Sequence, residues 1–274
     1  DALDGMKNVV KLLRERLGSS PLGAEGGELA AAAAGSGKML RGRLVLELQP
    51  ATGLDRAAAE TCAAAVEMVH AATLLHDDVI DGGELRRSEP AFWVRHGIQG
   101  AILFGDLLLC EATEMVRELG RPRVLADLIG CTCDVCRAEV EQELLLRSDD
   151  VSWETCLGLA RRKTGALFGF SAAAAAGDDP ARREALLEAG YQLGTAYQLA
   201  DDVLDVYGSD DMAGKSLGTD RTREKATALS AGRAREAAVT ETGACLQRAG
   251  QGLEAWPQVA DAWTRYVDRW MRPV

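Results

Sequence analysis

The sequence predicts an all-α protein, and three observations carry that prediction. Apolar residues recur at three- and four-residue spacing along most of the 274 residues. No stretch alternates apolar and polar residues over a strand length beside turn signals. The breaks between periodic stretches hold the Gly, Ser, Asp and Pro that start and stop helices. No internal segment is long or polar enough to divide the chain, so one domain over 1–274, a bundle of roughly ten or more helices, is expected.

Taken in order, residues 2–17 form an amphipathic helix with Leu3, Met6, Val9, Val10, Leu13 and Leu17 on one side. A Gly/Ser/Pro break at 18–23 and an alanine-rich stretch lead to Gly35-Ser36-Gly37. Lys38, Arg41 and Arg43 then stand at the start of another helix, where cations oppose the macrodipole unless an anion binds there. Residues 56–81 form a long alanine-rich helix ended by Gly82-Gly83. Pro90 and His96-Gly-Ile-Gln-Gly100 read as a connection, and 101–119 as an apolar helix containing Asp106. Pro122 opens a helix to about Leu146 that carries Glu139, Gln142 and Glu143, residues expected to be structural or to act from one layer behind the site. Ser152 caps the next, which carries Arg161, Arg162, Lys163 and Thr164. Asp178-Asp179-Pro180 starts a helix over 180–207; a polar loop from Gly208 to Asp220 holds Lys215, and the last helices run to Tyr266–Met271.

Composition excludes several classes. The net charge of −11 makes nucleic acid or an anionic membrane surface an improbable partner. A phosphorylated substrate would need local Lys and Arg or a bound metal. There is no run of about 18 apolar residues and no signal peptide, and unpaired cysteines suit a reducing compartment, so a cytoplasmic protein is expected. The chain starts at Asp1 rather than Met, which leaves room for a preceding segment. Of the seven cysteines, Cys131, Cys133 and Cys136 lie close together, but no second Cys or His pair accompanies them. Three small, mostly buried helix residues are the expected reading.

Two stretches carry the chemistry. His70–Arg87, HAATLLHDDVIDGGELRR, places Asp77, Asp78 and Asp81 behind an apolar run and follows them with Arg86-Arg87; YQLADDVLDVYG repeats the device with Asp201, Asp202 and Asp205. Asp77 and Asp81 sit four apart, on one face of a helix, which is unfavourable unless a cation lies between them. Oxygen ligands without a His or Cys cluster suit Mg²⁺, which completes its shell with water and substrate phosphate. Two such clusters on facing helices could hold a diphosphate through shared Mg²⁺, with Arg86, Lys163, Lys215 and Lys225 taking up the remaining charge. No Gly-x-Ser-x-Gly turn, P-loop or GxGxxG is present, and His70, His76 and His96 have no evident triad partners. What remains is charge stabilisation: departure of a diphosphate and a carbocation in an apolar cleft.

From GKMLR through HAATLLHDDVIDGGELRR, GDLLL, RRKTGALF and YQLADDVLD to GKSLGTD, the order and spacing resemble the trans-isoprenyl diphosphate synthases, or polyprenyl synthetases, over nearly the whole chain. The likeness is to those making geranylgeranyl and longer products. It implies the isoprenoid synthase bundle with a central cleft, a homodimer, and Mg²⁺, about three ions to an active site, held partly by substrate oxygens. Carried over residue by residue, Asp77 and Asp81 become first-motif ligands and Asp201 the second-motif ligand. Asp205, with Asp78 and Asp202, acts through water or from one layer further out. Arg86, Lys163, Gln198, Lys215 and Lys225 would contact the allylic diphosphate; Lys38, Arg41, His70 and Arg87 would hold isopentenyl diphosphate. Thr164 and Gln198 would turn oxygen dipoles toward the cation.

The resemblance also implies where elongation stops. The growing tail would lie beneath Asp77, past Thr73 and Ala72, four and five positions earlier and both small. A helical turn rises about 5.4 Å, close to one extended isoprene unit, so the lack of an aromatic floor points to C20 or longer. The usual GGKRxRP stands here as Ser36-Gly37-Lys38-Met39-Leu40-Arg41-Gly42; Ser88 and Glu224 replace two further glycines. These departures fall mostly on the isopentenyl diphosphate side and put the acceptor in question, while the charges are kept. A class I terpene cyclase, or a prenyltransferase to a non-isoprenoid acceptor, would keep the Asp motifs but need not keep Lys38, Arg41, His70 and Arg87. A non-catalytic subunit commonly loses one Asp motif, and both are present.

Overall fold

The first periodic stretch folds as α1 (Ala2–Gly18) and buries Met6, Val9, Leu13 and Leu17, with Val10 half-buried beside them. The structure is a computed structural model describing residues 2–35, 37–86, 89–146, 151–207 and 235–271, the side chains of 2, 3 and 205–207 excepted. Lys215, Lys225 and Arg87, and the side chain of Asp205, lie outside the described residues. Contacts gather the chain into two units, residues 1–129 with 174–178, and 130–173 with 179–274.

The first unit is built around α4 (Arg56–Ile80), with α1, α2 (Gly23–Gly35) and α3 (Leu40–Thr52) against it. Asp55 caps α4 by accepting the Ala58 N–H at 2.9 Å. Its run of alanines, Ala63 to Ala65 with Ala71 and Ala72, is buried, so neighbouring helices approach closely. The chain reverses through a two-residue ladder, β1 (Leu85–Arg86) with β2 (Glu89–Pro90), and α5 (Phe92–Glu118) returns along α4. The His76 ring lies against Gly105, which has no side chain to displace it, and Nε2 is 3.2 Å from the Ile102 carbonyl oxygen. The connection expected at 90–100 is shorter than that: residues from Phe92 are already helical, and the break falls at Gly97, whose torsions are not helical (φ 78°, ψ 161°). Phe92 stacks on Phe104 at 5.3 Å across that break, which holds the short first stretch of α5 against the longer one.

In the second unit α6 (Pro122–Leu145) contributes its residues from Gly130 onward. It is followed by α7, which runs as Trp153–Ala160, a π-helical Arg161–Gly165 and then Ala166–Ala174. The Ser152 cap forms as expected, its Oγ accepting the Thr155 N–H at 3.2 Å. Asp179 starts α8 (Pro180–Tyr207) by accepting the Ala181 and Arg182 N–H groups at 3.0 Å. Those bonds, Arg182's first, hold its carboxyl below the usual range. Packed on α8 is α9 (Arg235–Gln251), and α10 (Pro257–Trp270) buries Val259, Ala262, Trp263 and Tyr266.

The contact between α7 and α8 is made backbone to backbone. Gly165 and Gly169 on one helix meet Gly190 and Gly194 on the other. A β-carbon at 194 would stand 2.6 Å from the Gly165 Cα and 2.9 Å from the Thr164 carbonyl oxygen. Apart from the ladder at 85–90, the described residues are helices and connections, so the chain is all-α. No helix among them is long and apolar enough to cross a membrane. Gly194→Ala is expected to lower stability by about 1–3 kcal/mol through overpacking. Urea unfolding read by circular dichroism measures this, with Gly243→Ala, which meets nothing within 4 Å and should gain about 0.5–1 kcal/mol in helix propensity, as the comparison.

Candidate active site

The first Asp motif ends α4. Asp81 is its C-cap and still has helical torsions, its N–H reaching the Asp77 carbonyl oxygen at 2.7 Å. Asp77 and Asp81 therefore share a face one turn apart, as the spacing requires. Both are partly exposed, whereas Asp78 is buried. Arg86 forks onto it: Nε donates to Oδ2 at 2.7 Å and Nη2 to Oδ1 at 2.8 Å. The ladder pairing Arg86 with Glu89, and the Trp93 indole N–H on the Gly83 carbonyl at 2.8 Å, hold the arginine at that place.

The second motif, in α8, repeats the arrangement with a neutral partner. Asp201 is partly exposed and Asp202 is buried, its Oδ1 accepting from Gln198 Nε2 at 2.8 Å. The other end of the Gln198 amide accepts from Thr164 Oγ1 at 2.6 Å, so Thr164, Gln198 and Asp202 form one chain of hydrogen bonds. Thr164 comes from the π-helical turn and can reach α8 because the glycines beside it let the two backbones meet. Next to it, Lys163 Nζ donates to Glu139 Oε2 at 2.8 Å and Gln142 Oε1 at 3.0 Å. The sequence had placed Lys163, Thr164 and Gln198 in one site, and within this unit the structure brings Thr164 and Gln198 into contact with Lys163 adjacent.

The basic stretch is organised by a residue that the sequence reading passed over. Glu67 of α4 is buried, and its Oε1 accepts the Gly42 N–H at 2.7 Å, with Arg41 and Arg43 near. Burial raises its pKa, against the pull of that bond and of the two arginines. Arg43 Nε donates to the Lys38 carbonyl at 2.7 Å, and Met39, buried, takes a left-handed conformation at φ 47° before α3 begins at Leu40. Lys38 thus precedes the helix rather than sitting in it, and is exposed. His70, one turn beyond Glu67, is half-buried, and its carbonyl accepts from Thr73 Oγ1 at 2.8 Å. Ala72 is fully buried and Thr73 partly so. The signal for Glu67 was a carboxylate on the apolar face of an alanine-rich helix, one turn before a site histidine.

The three clustered cysteines differ from expectation: Cys131 is buried, Cys133 half-buried and Cys136 exposed, and all seven cysteines are free thiols. Burial pushes the thiol of Cys62 up to about 12 and that of Cys156 up to about 11, so neither is a ready thiolate. Among the described residues no three of His, Cys, Asp or Glu gather as a metal cage. Mg²⁺ does not need one, since one or two carboxylates with water and phosphate oxygens suffice. Asp77 and Asp81 offer such a pair, backed by an Asp78 whose charge Arg86 already balances.

Residues 28–260 match the family model described as polyprenyl synthetase. A geranylgeranyl diphosphate synthase of Mycobacterium tuberculosis is 35% identical over 88% of this chain and 73% of its own. A (2E,6E)-farnesyl diphosphate synthase of Mycobacterium bovis is 36% identical over 69% of this chain. Of that relative's own length the match covers 55%, little more than half. Among solved structures, a polyprenyl synthase from Caulobacter crescentus CB15, complexed with calcium and isoprenyl diphosphate, superposes with a TM-score of 0.83 at 29% identity, covering 97% of this chain and 94% of that one.

Gly42→Pro removes the N–H that Glu67 accepts, and is expected to cost about 1–3 kcal/mol as a buried carboxyl loses a partner. A lowered midpoint in urea unfolding would register it. An unchanged midpoint would mean that Glu67 does not anchor this turn.

Proposed function

This chain belongs to the polyprenyl synthetase family of prenyltransferases, and on that premise we propose that it is an all-trans polyprenyl diphosphate synthase joining isopentenyl diphosphate to an allylic diphosphate. The observation that carries the reading is the shared construction of the two Asp motifs. In each, the leading Asp is partly exposed, and the second is buried on an internal donor, Arg86 for Asp78 and Gln198 for Asp202. In this reading the partly exposed Asp77, Asp81 and Asp201 turn carboxylate oxygens to a divalent cation, Mg²⁺. Bound there, Mg²⁺ would neutralise diphosphate charge and favour its departure. The likeness to a polyprenyl synthase complexed with calcium and isoprenyl diphosphate supports a divalent ion together with a diphosphate substrate.

The residues divide the work as follows. Arg86 and Lys163, with Lys215 and Lys225, carry positive charge to the allylic diphosphate, and Asp205 completes the second motif. The C1–O bond breaks, its electron pair leaves with diphosphate, and the allylic cation is met by the oxygens of Thr164 and Gln198. The double bond of isopentenyl diphosphate, held by Lys38, Arg41, His70 and Arg87, attacks C1. Loss of a proton to the departed diphosphate restores a double bond. A single domain over 1–274 is supported by a family match that runs through both compact units. A homodimer is supported by exposed apolar side chains on α5 after Gly97, Ile98 and Ile102 one turn apart and 40–48% exposed, with Leu103 beside them. Free thiols suit a cytoplasmic setting.

The small, buried Ala72 and its neighbour Thr73 support a product of C20 or longer. The two relatives are named for products of different length, so sizing the product decides it. Asp77→Ala is expected to lower the rate of prenyl transfer by about 10²-fold or more, with radiolabelled isopentenyl diphosphate, Mg²⁺ and primers of increasing length. Full activity in that variant would sink the proposal. Ala72→Phe should shift the product distribution toward shorter chains by chromatography, and an unaltered distribution would show that elongation does not stop here.

A further inference from the structure

The π-helical turn of α7 carries three successive cations, and each meets a carboxylate: Arg161 with Glu188 at 2.6 Å, Arg162 with Glu141 at 2.6 Å, and Lys163 with Glu139 at 2.8 Å. The third pair stands apart. Its side chains are the most buried of the three, 26% and 24% exposed. It also has a second acceptor on the same helix, since Gln142 lies one turn from Glu139 on α6 and reaches the same ammonium at 3.0 Å. Arg161 spreads its charge over the Tyr191 ring at 4.5 Å as well, whereas an ammonium is a compact charge with three donors. Glu139 and Gln142 thus offer Lys163 one charged and one neutral oxygen from the same helix.

We infer that Glu139 is an exchangeable counter-ion for Lys163, a positioning residue that competes with diphosphate for the ammonium and takes it back when diphosphate leaves. The inference rests on the proposed reading of Lys163 as a diphosphate ligand. The reasoning is electrostatic. A carboxylate beside the ammonium lowers the attraction that Lys163 exerts on an arriving anion, and like charges repel in a partly desolvated site. Gln142 contributes orientation without that cost, so the amine stays placed when Glu139 lets go. The net effect is weaker diphosphate binding and easier release, achieved without loosening the lysine. Nothing in the composition of α6 pointed to this, because Glu139, Glu141 and Glu143 look alike in sequence and only the structure separates their partners.

Isothermal titration of the full chain with inorganic diphosphate in Mg²⁺ buffer tests it. Glu139→Gln, and Glu139→Met as a second uncharged variant, are expected to bind about three- to tenfold more tightly than the parent. Glu139→Asp keeps the charge and should stay within about twofold, as should Glu188→Gln, which changes the partner of Arg161. A merely structural role for Glu139 would weaken binding or leave it alone, not tighten it. If Lys163→Ala weakens binding while the uncharged variants do not tighten it, the counter-ion inference falls and the ligand reading of Lys163 stands. If Lys163→Ala leaves binding unchanged, that reading falls and takes the inference with it.

Discussion

Everything in this structure answers to one constraint: a charge taken out of water must have a partner fixed in advance. The chain concentrates acids at two helix segments and cations around them, and the net charge of −11 means that acids outnumber bases. Asp77 and Asp81, four apart at the end of α4, repel each other by roughly a few tenths of a kcal/mol unless a cation lies between them. The protein divides each motif. Asp78 and Asp202 turn inward, onto Arg86 and Gln198, while Asp77, Asp81 and Asp201 stay partly exposed. The division also fixes the helix end, because Arg86 is itself pinned by the short β ladder. Burial of the second acid is thus what makes the exposure of the first one usable.

Backbone proximity supplies the rest. Thr164 can donate to Gln198 at 2.6 Å because glycines on α7 and α8 remove the side chains that would keep two helices apart. The extra residue of the π-helical turn changes which residues face α6 and α8, so that Lys163 reaches α6 while Thr164 reaches α8. Single π-turns inside α-helices are frequent at functional sites. The same economy of side chains runs through the first unit, where buried alanines on α4 and Gly105 on α5 let the two helices close up around His76.

The fold class was legible because helical periodicity, caps and breakers agreed along the chain. The Ser152 and Asp179 caps appear where their side chains could accept an N–H, and the Asp77–Asp81 spacing survives as one helical face. What was not legible was partnership. Residues 96–100 looked like a connection because two glycines interrupt the pattern, and the helix does break at Gly97, but the helical turn before it, with Phe92 stacked on Phe104, was not foreseen. Glu67 looked like one more polar residue in an alanine-rich stretch, and Glu139 like one of three equivalent acids. Pairing is a long-range property, and a one-dimensional pattern carries it only where the spacing is local, as with the two Asp motifs. The four glycines of α7 and α8, each pair spaced by four, were visible and could have been read as a close helix contact.

The departures from the usual GGKRxRP pattern acquire a physical sense at Gly42. Proline has no N–H, so the pattern's proline could not give Glu67 the hydrogen bond that Gly42 gives it at 2.7 Å. A side chain at 42 would also crowd the Glu67 carboxyl, with a β-carbon standing 3.3 Å from it. The turn just before pulls the other way. Met39 sits at φ 47° and ψ 48°, a conformation that costs about 1–2 kcal/mol for a residue with a β-carbon. Its burial and the Arg43 bond to the Lys38 carbonyl hold it there. The basic turn is therefore anchored from beneath, through Glu67 and Met39. The replaced residues are those that shape the turn, and Lys38 and Arg41, which would meet a substrate, are not among them. On this reasoning the altered motif reflects a different way of supporting the same cations rather than a site in decline.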